Sequence, residues 1–425
     1  MECIDIVVLG AGISGLSYAK TKRKLAPENT LAVFDENDYY GGLCHSFKID
    51  GFTFDSAVHL SFTKIPDVMQ EFEKTKLIKH FPVAYNFYNG YWLKHPLIFN
   101  LYPFTLEKKI EYISDFVSRS TNIDINTYAD WLKASYGEKI KKDFFDVYTQ
   151  KYWTVDAEKL STTWIGNRIS CPSLEKILFG AFSPITGNDY YANEMRYPEK
   201  GGYQSFLRDL AENIDIRLCK RVVSLNTTQQ TVSFSDKTTV QYRKLASSIP
   251  LNELVQMTED APDAVKMVAS ELECGRISIV SVGLRKEKVF DKLWFYVYDK
   301  DIYAARINCP GVKSPNNVPH GCSSLQFEIY HRGTGSIDKE DIIKNVRYAI
   351  KKMHLAEEDE ILFTDYRLLK NGNVLFYTGM EDKRQVIYDY YASKNISLLG
   401  RFGRWDYLWS DQAYMSGKTE AEKDV

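Results

Sequence analysis

Ile4-Asp-Ile-Val-Val-Leu9-Gly10-Ala-Gly12-Ile-Ser-Gly15 is the stretch on which the fold turns. From Ile4 to Leu9 the run is short and apolar, the pattern of a strand buried on both faces. Glycines follow at once, and Leu16 to Arg23 has the spacing of a helix. In such a strand–turn–helix unit each glycine has a task. Gly10 permits the tight turn, Gly12 lets the backbone approach a pyrophosphate, and Gly15 lets helix and strand pack closely. The helix start offers unpaired N–H groups and a positive dipole end to phosphate oxygens. Thr30 to Phe34 reads as a second strand ending at Asp35, 20 residues after Gly15, with Glu36 beside it. An acid at that place can hold ribose hydroxyls. The sequence therefore predicts a Rossmann-type dinucleotide site.

Working outward, the 425 residues suit two or three domains sharing a core. With 44% hydrophobic and 26% charged residues the composition is that of an ordinary globular protein. A net charge of −2 gives no reason to expect nucleic acid or an anionic membrane as partner. The 29 Tyr and 23 Phe suit a pocket that stacks rings and hydrogen-bonds hydroxyls. Cys3, Cys44, Cys171, Cys219, Cys274, Cys309 and Cys322 are scattered without a CxxC pair, as expected of reduced thiols in a cytoplasmic protein. The seven His lack ligand spacing, so no metal is expected. No stretch of about 18 apolar residues occurs to span a membrane.

Helical spacing marks 105–119, 125–136 and 138–152, then Tyr203 to Asn213 after the basic-glycine loop Pro198-Glu-Lys-Gly201-Gly202. A hairpin is expected near Thr227–Ser235 and a strand at Leu245 to Pro250. Alternation in 277–306, 324–331 and 361–377 predicts an antiparallel sheet, with a helix near 338–353 and a last strand at Ser397 to Gly400. The fold expected is α/β.

After Asp35 come Gly41-Gly42-Leu43, Gly51-Phe-Thr-Phe-Asp55 and His59; later come Val222, Ser247-Ser-Ile-Pro250 and Gly400-Arg401-Phe-Gly403. This order resembles the flavoenzyme group that includes amine oxidases, protoporphyrinogen oxidase and UDP-galactopyranose mutase. Tyr148-Thr149-Gln150-Lys151-Tyr152-Trp153, Trp164-Ile-Gly166-Asn-Arg168 and Arg401-Phe-Gly-Arg404-Trp405-Asp-Tyr407 narrow the resemblance to the UDP-galactopyranose mutases. The resemblance implies a discontinuous FAD-binding domain (1–100, 200–255 and 393–425), a helical segment at 101–199 and a sheet domain at 256–392.

It also implies a reaction without net redox. Reduced flavin N5 acts as nucleophile at the anomeric carbon of a nucleotide-diphosphate sugar, whose pyranose and furanose forms interconvert. NADPH or NADH would reduce the FAD. Cofactor contacts carried over are Gly10, Gly12, Gly15, Asp35, Glu36, Gly41, Gly42, Leu43, Val222, Arg401, Asp411 and Gln412. For Asp411 a helix N-cap is the alternative. His59 corresponds to a flavin-contacting histidine, and Arg168 and Arg306 to cations at the diphosphate. Tyr377 and Tyr407 correspond to phosphate hydroxyl donors, and Tyr148, Thr149, Trp153, Trp164 and Trp294 to the substrate pocket.

Three departures fall near the substrate. Ala57-Val58 replaces the glycines that precede the histidine in the mutases, and a β-branched residue resists positive φ. Thr149 stands where eukaryotic-type mutases carry Asn. Lys313 follows Arg306 without the expected tyrosine, and either meets a phosphate or faces solvent. A net oxidoreductase of the amine-oxidase or protoporphyrinogen-oxidase type, and a non-catalytic flavoprotein, are the alternative readings.

Overall fold

The computed structural model describes residues 1–166, 168, 169, 171–187 and 192–423; Asn167 of the Trp164–Arg168 motif thus lies outside the described residues. Strand β1 (Glu2–Leu9) enters Gly10, whose φ of 97° suits glycine alone, and helix α1 (Ile13–Leu25) follows. Strand β2 (Leu31–Phe34) lies parallel to β1, with Val8 opposite Val33. Ile6, Val7, Val8 and Leu9 are all buried, which is why the strand shows no alternation.

The first sheet runs Val222–Asn226, Thr231–Phe234, Thr239–Ser247, β1, β2, Asp215–Arg217, with Ile396–Leu398 paired to Thr239–Ser247. Its parallel centre joins the beginning, middle and end of the chain, since Thr239–Ser247 pairs with both β1 and Ile396–Leu398. The final helix, Ser410–Lys423, packs across α1. A Cβ on Gly417 would stand 2.1 Å from the Ser14 carbonyl oxygen, and Ser17 Oγ donates to the Tyr414 carbonyl at 2.7 Å.

The second sheet runs Ile361–Val374, Cys274–Leu284, Ser323–His331, Arg306–Asn308, Trp294–Val297, Tyr85–Tyr88, Tyr91–Lys94. Two of these strands come from the range 1–100 expected in the cofactor domain, and Phe295 pairs with Tyr85 in parallel rather than antiparallel fashion. Alternation announces a strand but not the sheet it joins.

In the helical segment Thr105, Thr127 and Ser173 accept backbone N–H bonds and start Leu106–Ser118, Tyr128–Tyr136 and Leu174–Phe182. The stretch from Glu138 to Tyr152 contains a π-helical turn, Lys141–Phe145, before Asp146–Tyr152. Such an extra residue rotates the following face, a device found at functional sites; that face carries Tyr148, Thr149 and Tyr152. Among the described residues no helix is long and apolar enough to cross a membrane.

Candidate active site

Both sheets and the helical segment contribute walls to one cavity of about 1530 Å³. A single small ligand needs roughly 300–1,000 Å³, so there is room for a dinucleotide and a second molecule.

Gly10, Gly12, Asp35, Gly41, Gly42 and Val222 line one end. A Cβ on Gly12 would meet nothing within 4 Å, so its backbone faces open space, whereas one on Gly15 would stand 2.0 Å from the Gly10 carbonyl oxygen. Gly15 is therefore the packing glycine and lies behind the lining. α1 has no side-chain cap and no acid in its first turn, leaving its N–H groups and dipole to a ligand. The second glycine pair closes over the first turn, with Gly41 N–H donating to the Ala11 carbonyl at 2.8 Å, and Leu43 adds to the wall. Asp35 accepts from Ala11 N–H at 2.8 Å and from Asn37 N–H and Nδ2 at 2.9 and 2.8 Å. A carboxylate has about four acceptor sites, so it fixes the loop and keeps one for a hydroxyl. Glu36 also lines the cavity, exposed, with its carboxylate 3.9 Å from Arg221.

His59 stands in the wall with its ring 4.9 Å from that of Tyr203. Its Nδ1 lies 3.0 Å from the Ala57 carbonyl, which can only accept, so Nδ1 carries the hydrogen and Nε2 is an acceptor. Burial lowers its pKa to about 4, and the ring is neutral at neutral pH. None of Ala57, Val58 and His59 has positive φ. Val58 N–H donates to Glu328 Oε1 at 2.9 Å, and the Asp55 carbonyl accepts from Gln326 Nε2 at 2.9 Å. Below the loop Lys313 is fully buried and pairs with Asp55 at 3.1 Å. It therefore neither meets a phosphate nor faces solvent.

Arg168, Arg401 and Tyr407 come together. Arg168 donates to the carbonyls of Trp164 and Tyr407 at 2.8 and 2.6 Å, and its guanidinium lies 4.6 Å from the Tyr407 ring and 4.7 Å from that of Trp409. Burial, and Arg401 nearby, push its pKa down. Arg401 stands 4.6 Å from the same Tyr407 ring and donates to Asn373 Oδ1 at 2.6 Å. Among the described residues neither guanidinium has a carboxylate partner within ion-pair distance. Arg306 differs: its Nε and Nη2 lie 2.9 and 2.7 Å from Oε2 of the fully buried Glu328.

Trp153 and Trp164 pack 4.7 Å apart and form a bed for Tyr407. Tyr148, Thr149 and Trp294 also line the cavity. Tyr377 does not. Its hydroxyl donates instead to Glu273, itself paired with Arg332. Asp411 and Gln412 are likewise outside the lining. They serve the first turn of their helix, where Gln412 Oε1 accepts from Trp409 N–H at 2.9 Å and Asp411 Oδ1 from Gln412 N–H at 2.9 Å; Ser410 and Ala413 face the cavity instead.

Reading the sequence missed Tyr152, Tyr296, His95 and Trp409, all in the wall. Tyr152 hydroxyl is 2.8 Å from that of Tyr407, and Tyr296 is the cross-strand partner of Arg306. Only the register reveals the second pair; Tyr152 was signalled by its place in the motif ending at Trp153.

Residues 8–74 match the family of NAD(P)-binding Rossmann-like domains. Two curated proteins are similar over 14% and 15% of this chain: all-trans-retinol 13,14-reductase of Danio rerio (41% identical over 58 residues) and 4,4'-diapophytoene desaturase of Staphylococcus haemolyticus (38% over 65). The matches span only 9% and 12% of those proteins' lengths. A crystal structure of reduced UDP-galactopyranose mutase is similar along the whole chain, with a TM-score of 0.92, 21% identity, and 100% of this chain and 94% of that one covered. This chain has the fold of UDP-galactopyranose mutase. The fold is shared more widely. A putative protoporphyrinogen oxidase from Exiguobacterium is similar at a TM-score of 0.76 and 16% identity, over 100% of this chain and 99% of that one. The α/β fold with a Rossmann-type unit is as the sequence predicted.

Proposed function

We propose that the protein is a nucleotide-sugar mutase that interconverts the pyranose and furanose forms of a nucleotide-diphosphate hexose, with reduced FAD in the glycine-lined end of the cavity. The observation that carries this reading is the pair Arg168 and Arg401, two guanidiniums on one tyrosine without a carboxylate partner among the described residues, in the same cavity as an uncapped helix start. Half-buried charges without a counter-ion call for an anion. The residues present fit FAD: Gly12 leaves its phosphates space and Asp35 keeps an acceptor for ribose.

When bound and reduced, the flavin supplies the nucleophile at the anomeric carbon. Arg168 would hold the diphosphate as it departs and returns, joined by Arg401 in place of the cofactor contact expected of it, with Tyr152 and Tyr407 as hydroxyl donors. Neutral His59 offers Nε2 as an acceptor beside the cofactor end. Trp153, Trp164, Tyr148 and Trp294 keep water from the reacting centre, and Thr149 helps select the sugar. In this reading the protein works in the cytoplasm with NADH or NADPH as reductant, and needs no metal.

An anaerobic assay of dithionite-reduced protein with UDP-galactose, UDP-N-acetylgalactosamine and dTDP-fucose tests it. A new nucleotide-sugar peak in excess of enzyme, absent with oxidised protein, is expected. A net oxidoreductase is the second reading, favoured by the N-terminal similarity to a reductase and a desaturase and by an apolar arm of the cavity at Leu97, Ile98, Phe99, Phe144 and Phe145. Flavin bleached by an apolar or amine donor, with no new sugar peak, would establish that instead.

A further inference from the structure

We propose that Glu328 is a positioning residue that couples the loop bearing His59 to Arg306, so that the state of the arginine and the surroundings of the cofactor end report on one another. The inference rests on the proposed function only in placing flavin in this cavity.

Glu328 lies on Ser323–His331, central in the second sheet, with its side chain wholly shielded from solvent. Its two oxygens face different parts of the site. Oε1 accepts from Val58 N–H at 2.9 Å; Oε2 accepts from Arg306 Nε and Tyr330 hydroxyl at 2.9 and 3.1 Å. Arg306 is directly opposite in register, and Val58, His59 and Arg306 all line the cavity. Two residues earlier on the same strand, Gln326 holds the Asp55 carbonyl at 2.9 Å. One rigid strand thus grips the loop at 55 and at 58 while its carboxylate grips the arginine.

A buried carboxylate keeps its charge only through the donors around it. If an anion draws the Arg306 guanidinium toward the cavity, Oε2 loses its cation, and the carboxylate leans harder on Val58 N–H and Tyr330. If the loop shifts, the same charge falls more fully on Arg306. Such coupling is reciprocal. A merely structural Glu328, serving as counter-ion to Arg306 alone, would leave the loop indifferent to the arginine.

The test is a double-mutant cycle on the flavin's oxidised–reduced equilibrium, read with an indicator dye and without nucleotide, in the FAD-loaded wild type, Glu328→Gln, Arg306→Gln and the double variant. We expect Arg306→Gln to shift the equilibrium in the wild-type background and to have little further effect beside Glu328→Gln. The departure from additivity should be about fivefold or more, the lower end for linked sites; a smaller departure overturns the proposal. Should Glu328→Gln not retain flavin, the cycle is read with Glu328→Asp, whose charge stays beside Arg306 while its shorter stem frees the Val58 amide. Should the wild type itself hold no flavin, hydrogen exchange of the peptide containing Val58 is followed in the same four proteins, by the same criterion. No sugar enters the cycle, so failure of the mutase assay and failure of this coupling are separate results.

Discussion

Arg168 and Arg306 share a side chain and differ in circumstance. Arg306 is neutralised by a buried carboxylate at 2.7 Å, whereas Arg168 is held by two carbonyls and two aromatic faces. In the proposed function Arg168 therefore contributes more to anion affinity. Its planar fork lies against the rings of Tyr407 and Trp409, an arrangement a lysine cannot reproduce. Arg168→Lys should weaken UDP binding roughly 10- to 100-fold, the range of a charge-assisted hydrogen bond or two, and also lower Tm, because a lysine cannot keep both carbonyl bonds; titration calorimetry and thermal unfolding check the two effects. Tyr377→Phe is the contrasting case. It removes one hydroxyl bond to Glu273, outside the cavity, and should cost about 1 kcal/mol or less of stability while UDP affinity stays as in the wild type. A loss of affinity there would return Tyr377 to the site. The sequence could not separate these residues because each difference lies in a partner far along the chain: Glu328 for Arg306, Glu273 for Tyr377, Asp55 for Lys313.

At the scale of elements, the strand–glycine–helix unit was readable because every requirement is local. The apolar run, the turn and the helix start lie within 25 residues of one another, and β2 with its acid comes next. Strands Tyr85–Tyr88 and Tyr91–Lys94 were not among the strands expected, and their place beside Trp294–Val297 depends on a pairing across some 200 residues that local sequence does not encode. The same unit yields a paired prediction. Gly12→Ala adds a Cβ that meets nothing within 4 Å, whereas Gly15→Ala drives one to 2.0 Å from the Gly10 carbonyl oxygen. Gly12→Ala should fold with near wild-type stability but lose flavin, because the new methyl occupies the space in front of the helix start. Gly15→Ala should lose on the order of 1–3 kcal/mol or more, as overpacking does, and lose flavin as a consequence. Thermal unfolding of the apoproteins and flavin content by absorbance separate the two. Equal destabilisation would mean that the two glycines do not divide the tasks of approach and packing.

For the molecule as a whole, buried titratable groups set how stability follows pH. Burial lowers His59 to about 4, His95 to about 3 and His331 to about 4, all below the ordinary 6.5. The unfolded chain then binds more protons than the folded one between pH 4 and 6.5, so stability falls as pH drops through that window. The slope is at most about 1.4 kcal/mol per pH unit for each histidine, and less for the half-buried His331. Lys151 acts on the alkaline side. Its Nζ donates to the carbonyls of Val297 and Ala304 at 2.9 and 3.1 Å, and burial lowers its pKa to about 7. Between pH 7 and 10.5 the unfolded chain holds the extra proton, and stability rises with pH. Cys44, Cys274 and Cys309 oppose it above pH 9, because burial raises each thiol to about 12 and only the unfolded chain then releases protons. Stability should therefore climb from pH 4, rise again above 7, reach a maximum near pH 9 and decline beyond it. Lys151→Met, which removes the amine but keeps most of the volume, should lower stability overall and flatten the curve between pH 7 and 9 while leaving the acid limb intact. Chemical denaturation at half-unit steps of pH measures this directly. A variant curve that still rises from pH 7 to 9 would show that Lys151 is not the group that titrates there.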